Sequence, residues 1–204
     1  MLGDEFHGIS IGTTVLNNTE FTAPVPEWQI DAEATRYAVE MLRENKGWES
    51  APLDVRGVST KMTAYNAAWL TAKKPEPPIW DAARRQGFDT LVVVRPGVSE
   101  NWHFFVPSYG VFERRVLGMG WGCVYAAFIV NVYEVASEKS VAWDWGGGEM
   151  GEPCAGESNR DMHVRARFDD YSAEEKADLR KRVEARVLTS LHRALARLKL
   201  SAGR

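Results

Sequence analysis

The sequence contains little cysteine, and the little it has does not form a metal motif. Cys123 and Cys154 are the two cysteines among 204 residues, and they form no C-x-x-C pair. Their spacing therefore predicts neither a zinc site nor a disulfide-rich scaffold, and a single bridge between them stays open. Cys123 falls inside a predicted strand, where we expect it to act as a small apolar side chain.

Long apolar runs and an excess of positive charge are also missing. The longest apolar run, Val124 to Val130, is far shorter than the roughly 20 residues that cross a bilayer, so no transmembrane segment is expected. With 25 basic and 28 acidic residues, the chain has no bulk positive field that would attract nucleic acid. No signal-like segment follows Met1. We therefore expect a cytoplasmic protein from the chain as given, or a periplasmic or envelope protein if the N-terminus is trimmed.

Composition and apolar periodicity predict one globular domain, residues 1–204, that contains several helices. One helix is expected to begin after Asp31 as N-cap and to end near Gly47. A short helix opened by the proline pair at 77–78 should end before Gly87. A further helix is predicted within residues 61–72.

The C-terminal part predicts the longest helix, residues 172–198. Ser172 and Glu175 match the S-x-x-E capping box at its start. Apolar residues then recur at helical spacing and predict a buried stripe, which consists of Leu179, Val183, Val187, Leu191, Leu195 and Leu198.

Strand-like runs fill the segments between the helices. Residues 8–16 are rich in β-branched side chains, and Asn17 and Asn18 suit the turn that follows. The run "FDTLVVVRPG" is typical of a central strand buried on both faces. Successive side chains of the run "GCVYAAFIVNVYEV" are expected to point to opposite faces of a strand. This strand should pair with "SVAWDW" as a hairpin. The predicted fold class is α/β (α+β), a mixed, largely antiparallel sheet flanked by helices, with the long C-terminal helix packed on it.

The stretch "WDWGGGEMGEPCAG", residues 143–156, is the strongest candidate for a phosphate-binding loop. Such a loop needs a helix N-terminus facing the anion. Pro153 and Gly156 argue against a helix start, and Glu149 and Glu152 would repel phosphate. The stretch is therefore predicted to be a connecting loop.

Candidate catalytic residues are few. Cys154 with His103 or His163 is the cysteine and histidine combination that could support nucleophilic catalysis, although nearby acids would raise the pKa of the thiol. The histidines show no metal-binding spacing, and Asp161 with His163 supplies too few ligands. The sequence thus favours a protein that is not an enzyme and predicts neither a metal nor a cofactor.

Aromatic residues offer a second kind of site. The candidate binding residues are Trp102, Tyr109 and Trp143, together with the two asparagines at 17–18. The aromatics are candidates because exposed aromatic side chains form ligand grooves and partner surfaces. The alternative is that these aromatics fill the core between sheet and helices. The charged stretches "FERR" (112–115) and "RKRVEAR" (180–186) are predicted to face solvent.

The order of elements between Asp81 and Trp145 resembles the CsgG-like or LpoB-like α/β domain of bacterial envelope proteins, akin to the amino-terminal domain of TolB. The resemblance rests on the hairpin "CVYAAFIVNVYEVASEKSVAWDW", and the residues that match are Tyr125, Val132, Glu134, Val141 and Trp143. The opening "LGDEFHGISIGTTVLNN" also resembles a bacterial family to which no activity is attached. Members of the envelope group are mostly accessory proteins that bind other envelope proteins and perform no chemistry, and the resemblance implies the same here.

We therefore expect a non-enzymatic binding or accessory protein whose partner is another protein. Self-association as a homo-oligomer stays open. The alternatives are a small-molecule hydrolase or transferase that uses Cys154 with a histidine, and a module that senses a small ligand.

Overall fold

The computed structural model describes residues 2–44, 48–56, 75–101, 104–117, 119–147, 154 and 162–200. The fold is α/β, as predicted, and most strand pairs are antiparallel. In chain order the elements are β1 (Glu5–Ile11), β2 (Thr19–Pro24), α1 (Ile30–Arg43), α2 (Pro77–Arg85), β3 (Thr90–Pro96), β4 (Val98–Asn101), β5 (Phe104–Pro107), β6 (Tyr109–Val116), β7 (Met119–Ala126), β8 (Phe128–Glu134), β9 (Lys139–Gly146) and α3 (Ala173–Arg197). The helix predicted within residues 61–72 lies outside the described residues.

The strands form two main sheets with the orders β2-β1-β6-β7 and β3-β8-β9, and a small pair, β4-β5. The sheets meet at Ala127, whose N–H donates to the Ser108 carbonyl at 2.6 Å and whose carbonyl accepts from the Gly97 N–H at 2.9 Å. The long strand predicted at this position is therefore divided at Ala127 into β7 and β8. The predicted alternation runs through the division, because alternate residues from 124 to 132 all enter the main core.

The hairpin prediction is confirmed, since β8 and β9 pair antiparallel and residues 135–138 form the turn between them. The central position predicted for "FDTLVVVRPG" is wrong. Within the described residues β3 pairs with β8 alone, so it is an edge strand of its sheet, and several of its side chains are half-buried. The run is nevertheless covered on both faces, because Leu91 and Val93 pack in a cluster with Ile79 and Trp80 of α2, whereas Val92 and Val94 pack against the main core.

The start of α1 differs from the prediction. Gln29, with φ 54°, precedes the helix, and Asp31 lies inside the first turn. The Asp31 carboxylate accepts the N–H groups of Leu2 and of Gly3, the second at 3.1 Å. Asp31 therefore ties the N-terminal segment to the helix and is not the N-cap.

Helix α3 follows its prediction closely. Ser172 and Glu175 form the capping box, with Glu175 N–H to Ser172 Oγ at 3.1 Å and Ser172 N–H to Glu175 Oε2 at 2.7 Å. Five of the six stripe residues are buried in the main core, and Leu198, half-buried, packs against it. The helix contacts α1 and strands β6 to β9. None of the helices within the described ranges is long and apolar enough to cross a membrane.

Replacing Ser172 with alanine is expected to lower the free energy of unfolding by about 1 kcal/mol, because the Glu175 N–H loses its acceptor. Urea denaturation followed by circular dichroism measures the change. Ser140→Ala is the matched control, since the Ser140 hydroxyl lies on an exposed hairpin and donates to the Ala142 carbonyl at 3.5 Å, a long hydrogen bond. Equal midpoints for the two variants would contradict the capping role.

Candidate functional site

Cys154, a predicted nucleophile, is joined to Cys123 by a disulfide with an S–S distance of 2.09 Å. A sulfur in a disulfide has no thiolate with which to attack a substrate. The expectation that Cys123 is a simple apolar side chain is also corrected, although Cys123 does pack in a buried apolar cluster with Phe112 and Tyr125. The hydrolase hypothesis would therefore require a reduced form of the protein. Its second candidate, His103, lies outside the described residues.

His163, the remaining catalytic candidate, contacts a carboxylate that the sequence analysis assigned to a solvent-facing stretch. Its Nδ1 lies 3.0 Å from Oε1 of Glu113, on β6, and the His163 side chain is itself largely exposed. Glu113 is fully buried, so the prediction that "FERR" faces solvent is wrong for this residue. Phe112 is buried as well, and Arg115 is exposed as predicted.

Four further hydrogen bonds reach the Glu113 carboxylate. The guanidinium of Arg115 donates twice, from Nε at 2.7 Å and from a terminal nitrogen at 2.9 Å. The Val164 N–H donates at 3.0 Å and the Ser10 hydroxyl at 3.3 Å. We call Ser10, Glu113, Arg115, His163 and Val164 the Glu113 cluster.

The charge on Glu113 is stabilised in spite of its burial. Burial by itself raises the pKa of this carboxyl, but the hydrogen bonds from Arg115, His163 and the Val164 N–H outweigh that effect and hold the pKa below its usual value. The same ion pair raises the pKa of Arg115. Glu113 is thus an ionised group whose acceptor positions are occupied.

The Glu113 cluster is arranged to hold structure together. Its bonds to His163 and Val164 fix the segment that leads into α3 against the sheet. Gly122 permits this close approach, because a Cβ at that position would lie 2.9 Å from the Met162 carbonyl oxygen. A carboxylate that accepts five hydrogen bonds has little capacity to act as a general base.

Three of the predicted binding residues have structural roles. Tyr109 is fully buried, and its hydroxyl donates to the Gly3 carbonyl at 2.8 Å, so it offers no surface to a partner. Asn18 accepts the Gly12 N–H at 2.9 Å, and Asn17 donates its backbone N–H to the Thr14 carbonyl at 3.0 Å. The two asparagines therefore close the loop after β1.

Trp143 is a predicted aromatic binding residue that the structure leaves exposed, and Asn17 is exposed as well. It lies on β9 with 58% of its surface accessible, and Val141 on the same strand is 62% accessible. Among the described residues β9 pairs with β8 alone, so it is an edge strand. The β8–β9 register shifts between Val132 and Tyr133, and Val141 is the extra residue. We call Val141 and Trp143 the β9 patch. The last predicted binding residue, Trp102, lies outside the described residues.

A second group of exposed apolar side chains lies where the loop after β1 meets the β6–β7 hairpin. The group, which we call the apolar tip, consists of Leu16, Leu117, Met119 and Trp121. Local sequence patterns do not reveal this group, because Leu16 lies about a hundred residues from the other three members, whose apolar pattern is that of ordinary strand ends.

A cavity of about 200 Å³ opens beside α3. The residues that line it are Val124, Arg182, Ala185, Arg186 and Thr189. The ligand-sensing hypothesis predicts a deep cavity lined by aromatics, and this cavity has no aromatic residue in its wall. Arg186 is buried, which corrects the prediction that the whole stretch 180–186 faces solvent, whereas Arg180 and Lys181 of that stretch are exposed.

Within the described residues, no group of three or more His, Cys, Asp or Glu side chains could hold a metal ion, and Asp161 lies outside them. Comparison of the chain with protein-family models, with curated proteins and with solved structures finds no match. The features that bear on function are therefore the exposed surfaces.

Proposed function

We propose that this protein is a non-enzymatic binding or accessory protein that contacts another protein through the β9 patch. The observation that carries the proposal is the exposure of Trp143 on strand β9. Tryptophan is among the residues that contribute most to protein interfaces, because its ring buries a large apolar area and its N–H can still donate a hydrogen bond.

The edge position of β9 supports contact through side chains. An exposed edge strand could recruit any extended chain, and β-bulges reduce that risk by interrupting the regular row of backbone groups. The bulge at Val141 interrupts β9 beside Trp143. A partner is therefore selected by the shape of the two side chains and not by the backbone edge alone.

We also propose that the protein is located in the bacterial envelope. The disulfide between Cys123 and Cys154 supports this location. Disulfides persist in oxidising compartments such as the bacterial periplasm and are rare in the cytosol. The relationship to the CsgG-like and LpoB-like domains belongs to the same proposal, in which Val141 and Trp143 of the matching hairpin contact the partner.

Site-specific photocrosslinking in the native cell tests the proposal. A benzophenone side chain introduced at position 143 is expected to give one discrete adduct with a second protein. The same side chain at Lys181, an exposed position on α3, is the matched control and is expected to give no such adduct. Absence of an adduct at position 143, or the same adduct from both positions, would refute the proposal.

A further inference from the structure

Strand β8 divides its backbone groups between its two neighbours, β3 and β9. At one end of β8 the Ala127 carbonyl accepts the Gly97 N–H at 2.9 Å, and at the other end the Val135 N–H donates to the Asp89 carbonyl at 2.8 Å. The register between β3 and β8 is unbroken, and successive residues of an antiparallel strand alternate in the side to which both backbone groups point. The odd-numbered residues of β8 therefore bond to β3, and the even-numbered residues bond to β9.

This alternation fixes the direction of the backbone groups of β9. Asn131 lies opposite Trp143 in the β8–β9 register, and Ile129 lies opposite Trp145. Because both of these β8 residues bond to β3, the N–H and carbonyl groups of Trp143 and Trp145 point away from β8. Among the described residues β9 has β8 as its one neighbouring strand, so these groups face the open edge of the sheet.

Side chains cover the outward groups of Trp145. Its N–H donates to the Asp144 carboxylate at 2.7 Å, and the guanidinium of Arg197, at the end of α3, donates to its carbonyl. Arg197 also holds the Asp144 carboxylate, with 2.6 Å between Nε and Oδ2. Natural sheets cover or interrupt their edges to prevent unwanted strand pairing. Within the described chain this cover ends before Trp143, whose outward groups lie between the Asp144–Arg197 pair and the bulge at Val141.

We propose that the edge of β9 at Trp143 binds an extended segment of the partner protein through backbone hydrogen bonds. This inference rests on the proposed function and names the kind of segment that the partner presents. An outward N–H and carbonyl on one strand residue are complementary to the same pair on an extended main chain. The exposed side chains of the β9 patch supply apolar contact beside that pairing. Because the covered groups of Trp145 and the bulge at Val141 flank Trp143, the pairing is short and does not extend into a continuous sheet.

Amide hydrogen exchange of the full chain, alone and with the purified protein that crosslinks to position 143, tests the inference. In the free protein the Trp143 amide is expected to exchange at least about tenfold faster than the Asp144 amide, which donates to β8. In the complex the Trp143 amide should slow by at least about tenfold, because its N–H gains an acceptor. The Trp145 amide is the matched control on the same strand and should change less than about twofold, since the Asp144 carboxylate already accepts it.

A proline at position 143 supplies a second measurement. Proline removes the outward N–H but no hydrogen bond to β8, and edge strands tolerate proline in this orientation. Trp143→Pro is therefore expected to bind the partner at least about threefold more weakly than Trp143→Ser, which loses the same ring but keeps the N–H. The two variants should have the same urea midpoint, and the exchange measurement decides alone if the proline variant is less stable.

The outcomes separate this inference from the proposed function. A Trp143 amide that stays unprotected in the complex, or equal affinities of two equally stable variants, would overturn the inference and leave contact through the β9 patch in place. Protection of the Trp143 amide in the free protein would also overturn it, and protection that rises with protein concentration would assign the edge to a second copy of the chain. Absence of any adduct at position 143 would remove the proposed function and the inference with it.

Discussion

Replacing Glu113 with glutamine is expected to lower the free energy of unfolding by about 1.5–3 kcal/mol, the range for hydrogen bonds to a charged group, because Arg115 is exposed and stays hydrated when the buried carboxylate is removed. The amide removes the charge that the Arg115 guanidinium balances and turns an N–H donor towards groups that are themselves donors. Urea denaturation followed by tryptophan fluorescence measures the loss. Glu20→Gln, at an exposed position on β2, is the matched control and should change the value by less than about 0.5 kcal/mol.

The dependence on pH gives a second test of Glu113. Its pKa in the folded protein lies below the usual 4.5, so protons bind the unfolded chain more readily. The stability that the ionised carboxylate contributes is therefore present above about pH 4.5 and is lost as pH falls through the lower folded pKa. The difference in free energy of unfolding between the wild type and the Glu113→Gln variant should therefore become smaller as the pH falls through this range. Burial lowers the pKa of His7 to about 4, and the resulting loss of stability on acidification is common to both proteins and cancels in the difference.

Removal of the disulfide is the other change with a large expected effect. The bridge joins residues separated by 31 positions, and the entropy of closing such a loop corresponds to about 3–4 kcal/mol. The double variant Cys123→Ala, Cys154→Ala should be less stable than the oxidised wild type by about that amount. Because Cys123 is fully buried, removal of its sulfur adds a small packing loss to the entropic effect.

A reductant provides the control for the disulfide. Dithiothreitol should lower the urea midpoint of the wild type towards that of the double variant and should leave the double variant unchanged. Thiol titration of the oxidised, unfolded wild type should detect no free thiol. Two free thiols, or a wild-type midpoint that the reductant does not move, would show that the bridge does not stabilise the fold.

The sequence predicted the elements whose signals are local. The capping box at Ser172, the proline pair that opens α2 and the β8–β9 hairpin depend on residues a few positions apart, and all three are present. The stripe of α3 is predictable for the same reason, because apolar residues three and four positions apart share a helix face.

Contacts between distant segments were not predictable. Asp31 resembles an N-cap by its position, but its carboxylate accepts N–H groups from residues 28 and 29 positions earlier in the chain. The parallel pairing of β1 with β6 joins segments about a hundred residues apart, and it brings the Ser10 hydroxyl to Glu113. No local pattern encodes either contact.

The same limit applies to the candidate sites. Glu113 lies in a short charged run that suggests a solvent-facing strand, and its partners at 163 and 164 are separated from it by 50 and 51 positions. Tyr109 is of a residue type that is common in binding sites, yet the N-terminal segment covers it. Trp143 lies on a hairpin strand whose partner follows from the local sequence, so its placement on a strand could be predicted although its exposure could not.

The affinity of the partner identified at position 143 is the measurement that tests the central claim most directly. With both proteins purified, the Trp143→Ser variant is expected to bind at least about 30-fold more weakly than the wild type, because a tryptophan at the centre of an interface typically contributes 2 kcal/mol or more. Its urea midpoint should match that of the wild type, since the Trp143 side chain is mostly exposed. An unchanged affinity, or a loss that follows from unfolding of the variant, would contradict the claim that this protein acts through the β9 patch.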